Sequence, residues 1–125
     1  MCYNMDKARY RIYFYRSVSG RCQACDYARA MDINHQAKAK RWFKALAELG
    51  PELPEEYGKH LRDGVWELRL IIQHHQHRFL YSFRKDLIVV ANAFLKKSAE
   101  VPEAEIEKSQ KAMADWILRR GWADL

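Results

Sequence analysis

Residues 8–15 alternate, with Tyr10, Ile12 and Phe14 on one side and Arg9, Arg11, Tyr13 and Tyr15 on the other. A period of two across aromatic positions predicts a strand. Ser17-Val18-Ser19-Gly20 breaks it. Residues 22–30 can form a short helix, and Asp32 is placed to cap a second one over 33–49. In that second stretch Ala39, Trp42, Phe43, Leu46 and Ala47 recur three and four apart, making one apolar stripe with Lys38, Lys40, Arg41 and Lys44 largely off it. Gly50-Pro51 ends the helix, because proline cannot continue it and restricts the residue before it. Residues 51–64 hold two prolines, two glycines and an acidic excess, and read as a surface connection.

Three more strands are expected at 65–72, 78–84 and 87–95. With His74-His75 as the first turn, Trp66 pairs with Phe83, Leu68 with Tyr81 and Leu70 with Phe79, one uniformly apolar face. The other face then pairs Glu67 with Ser82, Arg69 with Leu80 and Ile71 with Arg78. A one-residue slip would mix the faces, so burial opposes it. With Lys85-Asp86 as the second turn, Ile88, Val90 and Phe94 join the apolar face, while Val89, Ala91 and Ala93 join the face of Arg69 and Arg78. The expected result is an antiparallel meander with one greasy side and one basic, partly hollow side. Pro102 suits the first turn of a last helix over 103–119, with Glu103, Glu105 and Glu107 near its positive end and Ile106, Met113, Trp116 and Ile117 as its stripe.

Composition narrows the class. The chain has 125 residues, 49% hydrophobic and 30% charged, enough for one domain over 1–125 and not for disorder. No apolar run nears the roughly 18 to 20 residues of a membrane span. The charged, aromatic N-terminus lacks a signal-peptide pattern. Three cysteines (Cys2, Cys22, Cys25) are too few for a disulfide scaffold. A cytoplasmic protein without a membrane partner is expected. The net charge of +6 is concentrated in residues 1–21 and 65–102, so an anionic partner is expected at the strands and not at a basic tail.

Arg69, Arg78, Lys96 and Lys97 lead the functional candidates. Guanidinium groups on a concave sheet face can hold phosphates by paired hydrogen bonds and stabilise charge building on phosphorus oxygens. The same pattern also fits a solvated face, since antiparallel sheets often leave one side wet. The lone Cys22-Gln23-Ala24-Cys25 could join two of His74, His75 and His77 in a zinc site, but reduced cysteines packed as small apolar residues fit better. Gln73-His74-His75-Gln76-His77 reads as an exposed turn. Tyr10, Tyr13 and Tyr15 could stack on bases, although strand aromatics more often pack inward. Phosphate-loop, nucleophile-elbow and zinc-protease motifs are missing.

Three segments in order resemble RelE/HigB-type toxins of type II toxin–antitoxin systems, in particular the phage-derived HigB-like branch. His60-Leu61-Arg62-Asp63-Gly64-Val65-Trp66-Glu67-Leu68-Arg69 is similar to the family's L-x-D-G-(L/V)-W-E-L-R segment. Arg78-Phe79-Leu80-Tyr81-Ser82-Phe83 resembles the strand after it. Ala93-Phe94-Leu95-Lys96-Lys97-Ser98, then Val101-Pro102-Glu103-Ala104-Glu105-Ile106, is similar to the closing signature. The resemblance implies a small α+β domain: a twisted antiparallel sheet, an N-terminal helical pair on one face and a C-terminal helix. It implies an endoribonuclease that cuts mRNA, usually on the ribosome, and inhibits translation, with an antitoxin that commonly carries a helix-turn-helix domain as partner. Because RNA supplies its own nucleophile and the sequence offers no carboxylate cluster, no metal or cofactor is expected. Attack by the ribose 2′-OH would leave a cyclic phosphate and a 5′-OH.

By the same resemblance Arg69, Arg78 and Lys97 are the catalytic positions, with Lys96 beside Lys97 as an RNA contact; Lys59 and Arg84 are further expected RNA contacts. Where better-known relatives carry two strand lysines this chain has Glu67 and Arg69, and Val101-Pro102 stands where some carry tyrosine. Glu67, His60, His77 and Lys97 are therefore all open as proton-transfer groups. Two alternatives share the fold: a ParE-like toxin that binds DNA gyrase without catalysis, and an inactive relative serving as an interaction module. The antitoxin is expected to bind beside the basic face and either to cover Arg69 and Arg78 or to displace the last helix, with Trp122 in the short tail beyond it as a further candidate contact.

Overall fold

The computed structural model describes residues 8–120; Cys2 and Trp122 lie outside the described residues. Strand β1 (Arg11–Phe14) leads through helix α1 (Gln23–Ala30) and helix α2 (Ile33–Leu49) to a single 3-10 turn, Gly50–Glu52. Strands β2 (Gly58–Arg62), β3 (Val65–Ile72), β4 (His75–Arg84) and β5 (Leu87–Leu95) follow, then helix α3 (Glu103–Arg120). The sheet order is β1-β5-β4-β3-β2. It is antiparallel except for β1, which lies parallel to β5.

Helices α1 and α2 cover one face. Tyr10, Ile12 and Phe14 point to it as their alternation predicts, and Phe43 of α2 sits between Phe14 and Phe79 with ring centroids 5.3 and 5.0 Å away. Asp32 caps α2 by accepting the Asn34 N–H at 2.9 Å. At the other end Gly50 takes φ +55°, and a Cβ there would strike the Tyr10 ring. That close approach and left-handed backbone both call for glycine. Cys22 caps α1, its Sγ accepting the Cys25 N–H at 3.2 Å. Both cysteines are buried, so the CxxC spacing here is a helix start.

Four expectations change. Residues 58–62 form strand β2, joined to β3 by a two-residue turn with Asp63 at φ +50° and Gly64 at φ +78°. Two positive-φ positions in sequence are what an Asp-Gly hairpin turn supplies. The β3–β4 turn is Gln73-His74, with Gln73 at φ +57°, so the pairing is Trp66 with Tyr81, Leu68 with Phe79 and Arg69 with Arg78. The slip is two residues, which preserves every side chain's face. His75 to His77 are accordingly strand, and His77 is buried.

The fourth change is a bulge. β4 and β5 pair as expected from Arg84/Leu87 to Tyr81/Val90, then shift register so that Leu80 meets Asn92 and Phe79 meets Ala93. The extra residue reverses parity beyond it. Ala93 therefore joins the core under α1, and Phe94 packs with Val65, Leu80 and Ile106 on the other face. Gln23 stabilises the bulged strand by bonding both the N–H and the carbonyl of Ala93, at 2.7 and 2.8 Å. The basic face is consequently not lined by paired alanines.

Helix α3 crosses that second face. Its Ile106, Ser109, Ala112 and Trp116 are buried, while Met113 and Ile117 of the expected stripe are only half-buried. Tyr15 donates to Asp115 at 2.5 Å, Arg119 bonds the same carboxylate at 2.9 Å, and Arg120 lies over the Tyr13 ring. No helix among the described residues is long and apolar enough to cross a membrane.

Candidate functional site

The site begins with the β3–β4 ladder. Arg69 and Arg78 stand directly opposite each other, and Glu67, two residues before Arg69, shares their face. The Glu67 carboxylate lies 3.5 Å from Arg69 Nε and 3.3 Å from Arg78 Nε. Two guanidinium groups side by side would repel, and the carboxylate between them offsets this. Arg78 is 0% exposed and Glu67 3%, whereas the Arg69 side chain keeps 28% of its surface. A fully buried arginine must have its donors met. Arg78 donates to the His77 carbonyl at 3.2 Å and to Gln76 Oε1 at 3.0 Å. Burial pulls its pKa below the ordinary arginine value, Glu67 opposes that, and Arg69 adds to it.

The two ion pairs lack hydrogen-bond geometry. Glu67 Oε2, Arg69 Nε and Arg78 Nε have no hydrogen-bond partner among the described residues. The triad thus retains polar capacity inside a buried ladder, where unmet groups are costly.

Lysines close the site from both sides. Lys59 is the β2 partner of Glu67. The Lys96 N–H donates to the Gln76 carbonyl at 2.8 Å, which holds the end of β5 over the arginines. Lys59, Arg62, Glu67, Arg69 and Lys96 line a cleft of about 350 Å³, roofed by residues 99–101 and Ile106. Burial, then the neighbouring Arg78, lowers the Lys96 pKa; Glu67 acts the other way, and Arg69 and Lys59 lower it further. Arg62 is already engaged by Asp63 and Glu103. The cleft is therefore a cationic cradle with one buried carboxylate on its floor, suited to an anion such as a phosphate.

Not every sequence candidate enters it. His60 does, on the edge strand. Lys97 is exposed and outside the lining, because β5 ends at Leu95 and the chain turns away. Arg84 shares the face of Arg78 but lies six positions along β4, roughly 20 Å at strand rise. His77 points to the opposite face, where its ring bonds Tyr27 Oη at 2.7 Å and His35 Nδ1 at 3.0 Å. Among the described residues no three His, Cys, Asp or Glu side chains gather as a metal set.

Two contributors escaped the sequence reading. Gln76 orients Arg78, and its only sequence signal is that it stands two residues before Arg78 on the same face. Asn92, brought to this face by the bulge, donates to Glu105 Oε1 at 3.0 Å and to the Glu105 carbonyl at 3.2 Å, tying β5 to the start of α3.

Residues 26–114 match the family model described as "Phage derived protein Gp49-like (DUF891)". No curated protein matches the chain as a relative. The matched span contains the last five residues of α1, all of α2, strands β2 to β5 and most of α3, so every residue of the cleft falls within it. The chain belongs to the phage-derived Gp49-like family, a RelE-like family associated with toxin–antitoxin systems.

Proposed function

We propose that the protein is the toxin of a toxin–antitoxin pair and cleaves mRNA on the ribosome. The observation that carries this is the convergence of Arg69, Lys96 and Lys59 around Glu67 in one open cleft. RNA supplies its own nucleophile, so the protein's task is to hold a phosphate, take one proton and give one. Arg69, the partly exposed arginine, and Lys59 bind the phosphate oxygens and stabilise their growing charge. Arg78 is a positioning residue that holds Glu67 from beneath.

In the reaction the 2′-oxygen bonds to phosphorus and its proton passes to Glu67. The bond from phosphorus to the 5′-oxygen breaks, and Lys96 protonates the departing oxygen. Proton transfer favours donors whose pKa is drawn toward the working pH, which is the direction of the Lys96 shift. The products are a 2′,3′-cyclic phosphate and a 5′-OH. The ribosome presents the message and orients it. In this reading the antitoxin carries a helix-turn-helix domain and an acidic segment that covers the cleft.

Mapping RNA 5′ ends after induction in cells tests the reading. New 5′-OH ends at codon-aligned positions within translated messages are expected. DNA breaks without RNA cuts would instead identify a gyrase-directed toxin, and neither would leave an inactive interaction module.

A further inference from the structure

A second pocket lies across the edge strand from the cleft. It has a volume of about 370 Å³ and is lined by Pro51, Leu53, Glu55, Gly58, His60 and Trp66. His60 lines both cavities. β2 is the outermost strand, so a chain held in the cleft can pass around this edge. We propose that the pocket receives the base of a nucleotide adjoining the phosphate held in the cleft, and that it prefers bases bearing an exocyclic amino group. The inference rests on the ribonuclease reading.

The wall of this pocket is aromatic and fixed. His60 pairs with Trp66 across β2–β3, their rings 5.1 Å apart at 62°. Trp66 is half-buried and held from behind by Tyr81 and Phe83, at 6.3 and 5.3 Å. An indole locked in this way is a stacking surface, and stacking tolerates any base. Gly58 keeps the wall thin: a Cβ there would meet Leu53 Cδ2 and Tyr81 Oη at 2.9 Å. Selectivity comes from Glu55, the only charged side chain lining the pocket apart from titratable His60. A carboxylate repels phosphate but accepts amino hydrogens, as from cytosine N4. Phosphate thus belongs on the Lys59 and Arg69 side of β2, and the base on the Trp66 side.

Fluorescence anisotropy with 5′-labelled tetranucleotides of cytidine or uridine, blocked against cleavage by 2′-deoxy sugars at the first three residues, tests the pocket. The wild-type protein is expected to bind the cytidine oligomer at least fivefold more tightly. Trp66→Leu and removal of one base from the cytidine oligomer should each weaken binding about tenfold, and together no more than either alone. Glu55 is exposed, so Glu55→Gln tests the idea without threatening the fold, and it should erase the cytidine preference. Equal binding of the two wild-type oligomers, or an unchanged ranking in Glu55→Gln, would overturn the pocket. If Arg69→Ala weakens every RNA while that ranking is flat, the pocket fails and the cleft survives. If no RNA binds, or Arg69→Ala changes nothing, the pocket falls, and the cleavage reading stands or falls on the mapped 5′ ends.

Discussion

Arg69 and Arg78 face each other across the β3–β4 ladder with the Glu67 carboxylate lodged within 3.5 Å of both, yet only Arg69 reaches solvent. Two arginines that look equivalent in the sequence therefore have different work. Arg78 is a buried counter-charge, and Arg69 is the contact surface.

The first prediction follows from that division. Arg78→Met leaves Glu67 buried without its closest cation, and breaking such a pair costs about 3 to 5 kcal/mol. The double variant Glu67→Leu/Arg78→Met removes both charges and should recover most of this loss. Urea denaturation of the wild type, both single variants and the double variant measures the coupling. Additive losses would mean that the two groups are energetically independent.

A second prediction concerns pH and stability. Burial and the neighbouring His35, His75 and Arg78 hold the His77 pKa down at about 4, against 6.5 for an ordinary histidine. The unfolded chain therefore takes up this proton near pH 6.5 and the folded one only near 4. Stability is whole above pH 6.5 and is lost as the pH falls toward 4, by about 3 kcal/mol from this group. His77→Gln should flatten that acid slope in denaturation curves taken between pH 7 and 4. A slope unchanged by the substitution would show that His77 is not its source.

Catalysis should show the opposite limb. Lys96 acts while protonated, and its pKa lies below the usual 10.5. Cleavage by the wild type is therefore expected to fall as pH rises through that depressed pKa. In Lys96→Arg the guanidinium keeps its proton, so the alkaline fall should vanish while the overall rate drops. The pH–rate profiles of the two proteins make the comparison.

Neutralisation by the antitoxin is expected to depend on charge. Lys59, Arg69 and Lys96 present cations that an acidic segment can seek from a distance, so raising salt should slow association much more than dissociation. Arg69→Ala and Lys96→Ala should each reduce the association rate, as stopped-flow mixing would record. An association rate indifferent to salt and to both substitutions would contradict a charge-guided encounter.

The sequence made the faces of the sheet legible and left the registers hidden. Burial of Trp66, Leu68, Leu70, Phe79 and Tyr81 forces their parity, so Arg69 and Arg78 had to share a face whichever turn joined the strands. Burial cannot distinguish His74-His75 from Gln73-His74, because a two-residue slip changes no face. The bulge between Leu80 and Tyr81 is likewise silent: Ala91, Asn92 and Ala93 are small or polar enough for either parity. Strand β2 carries no clean alternation, and the Asp63-Gly64 turn is its one sign in the sequence. The Lys96-Lys97 pair could not be divided from sequence, because the end of β5 decides which lysine turns inward.

The central claim is that this cleft is where RNA is cut. Single-turnover cleavage of an mRNA bound to ribosomes, with the wild type, Arg69→Ala and two variants outside the cleft, Arg84→Ala and Lys97→Ala, tests it most directly. Loss of one charged stabiliser of the transition state should cost about a hundredfold or more in rate. Arg69→Ala is expected to show that loss, with Arg84→Ala and Lys97→Ala within about threefold of the wild type. Cleavage by Arg69→Ala at the wild-type rate, or a collapse confined to Lys97→Ala, would contradict the account.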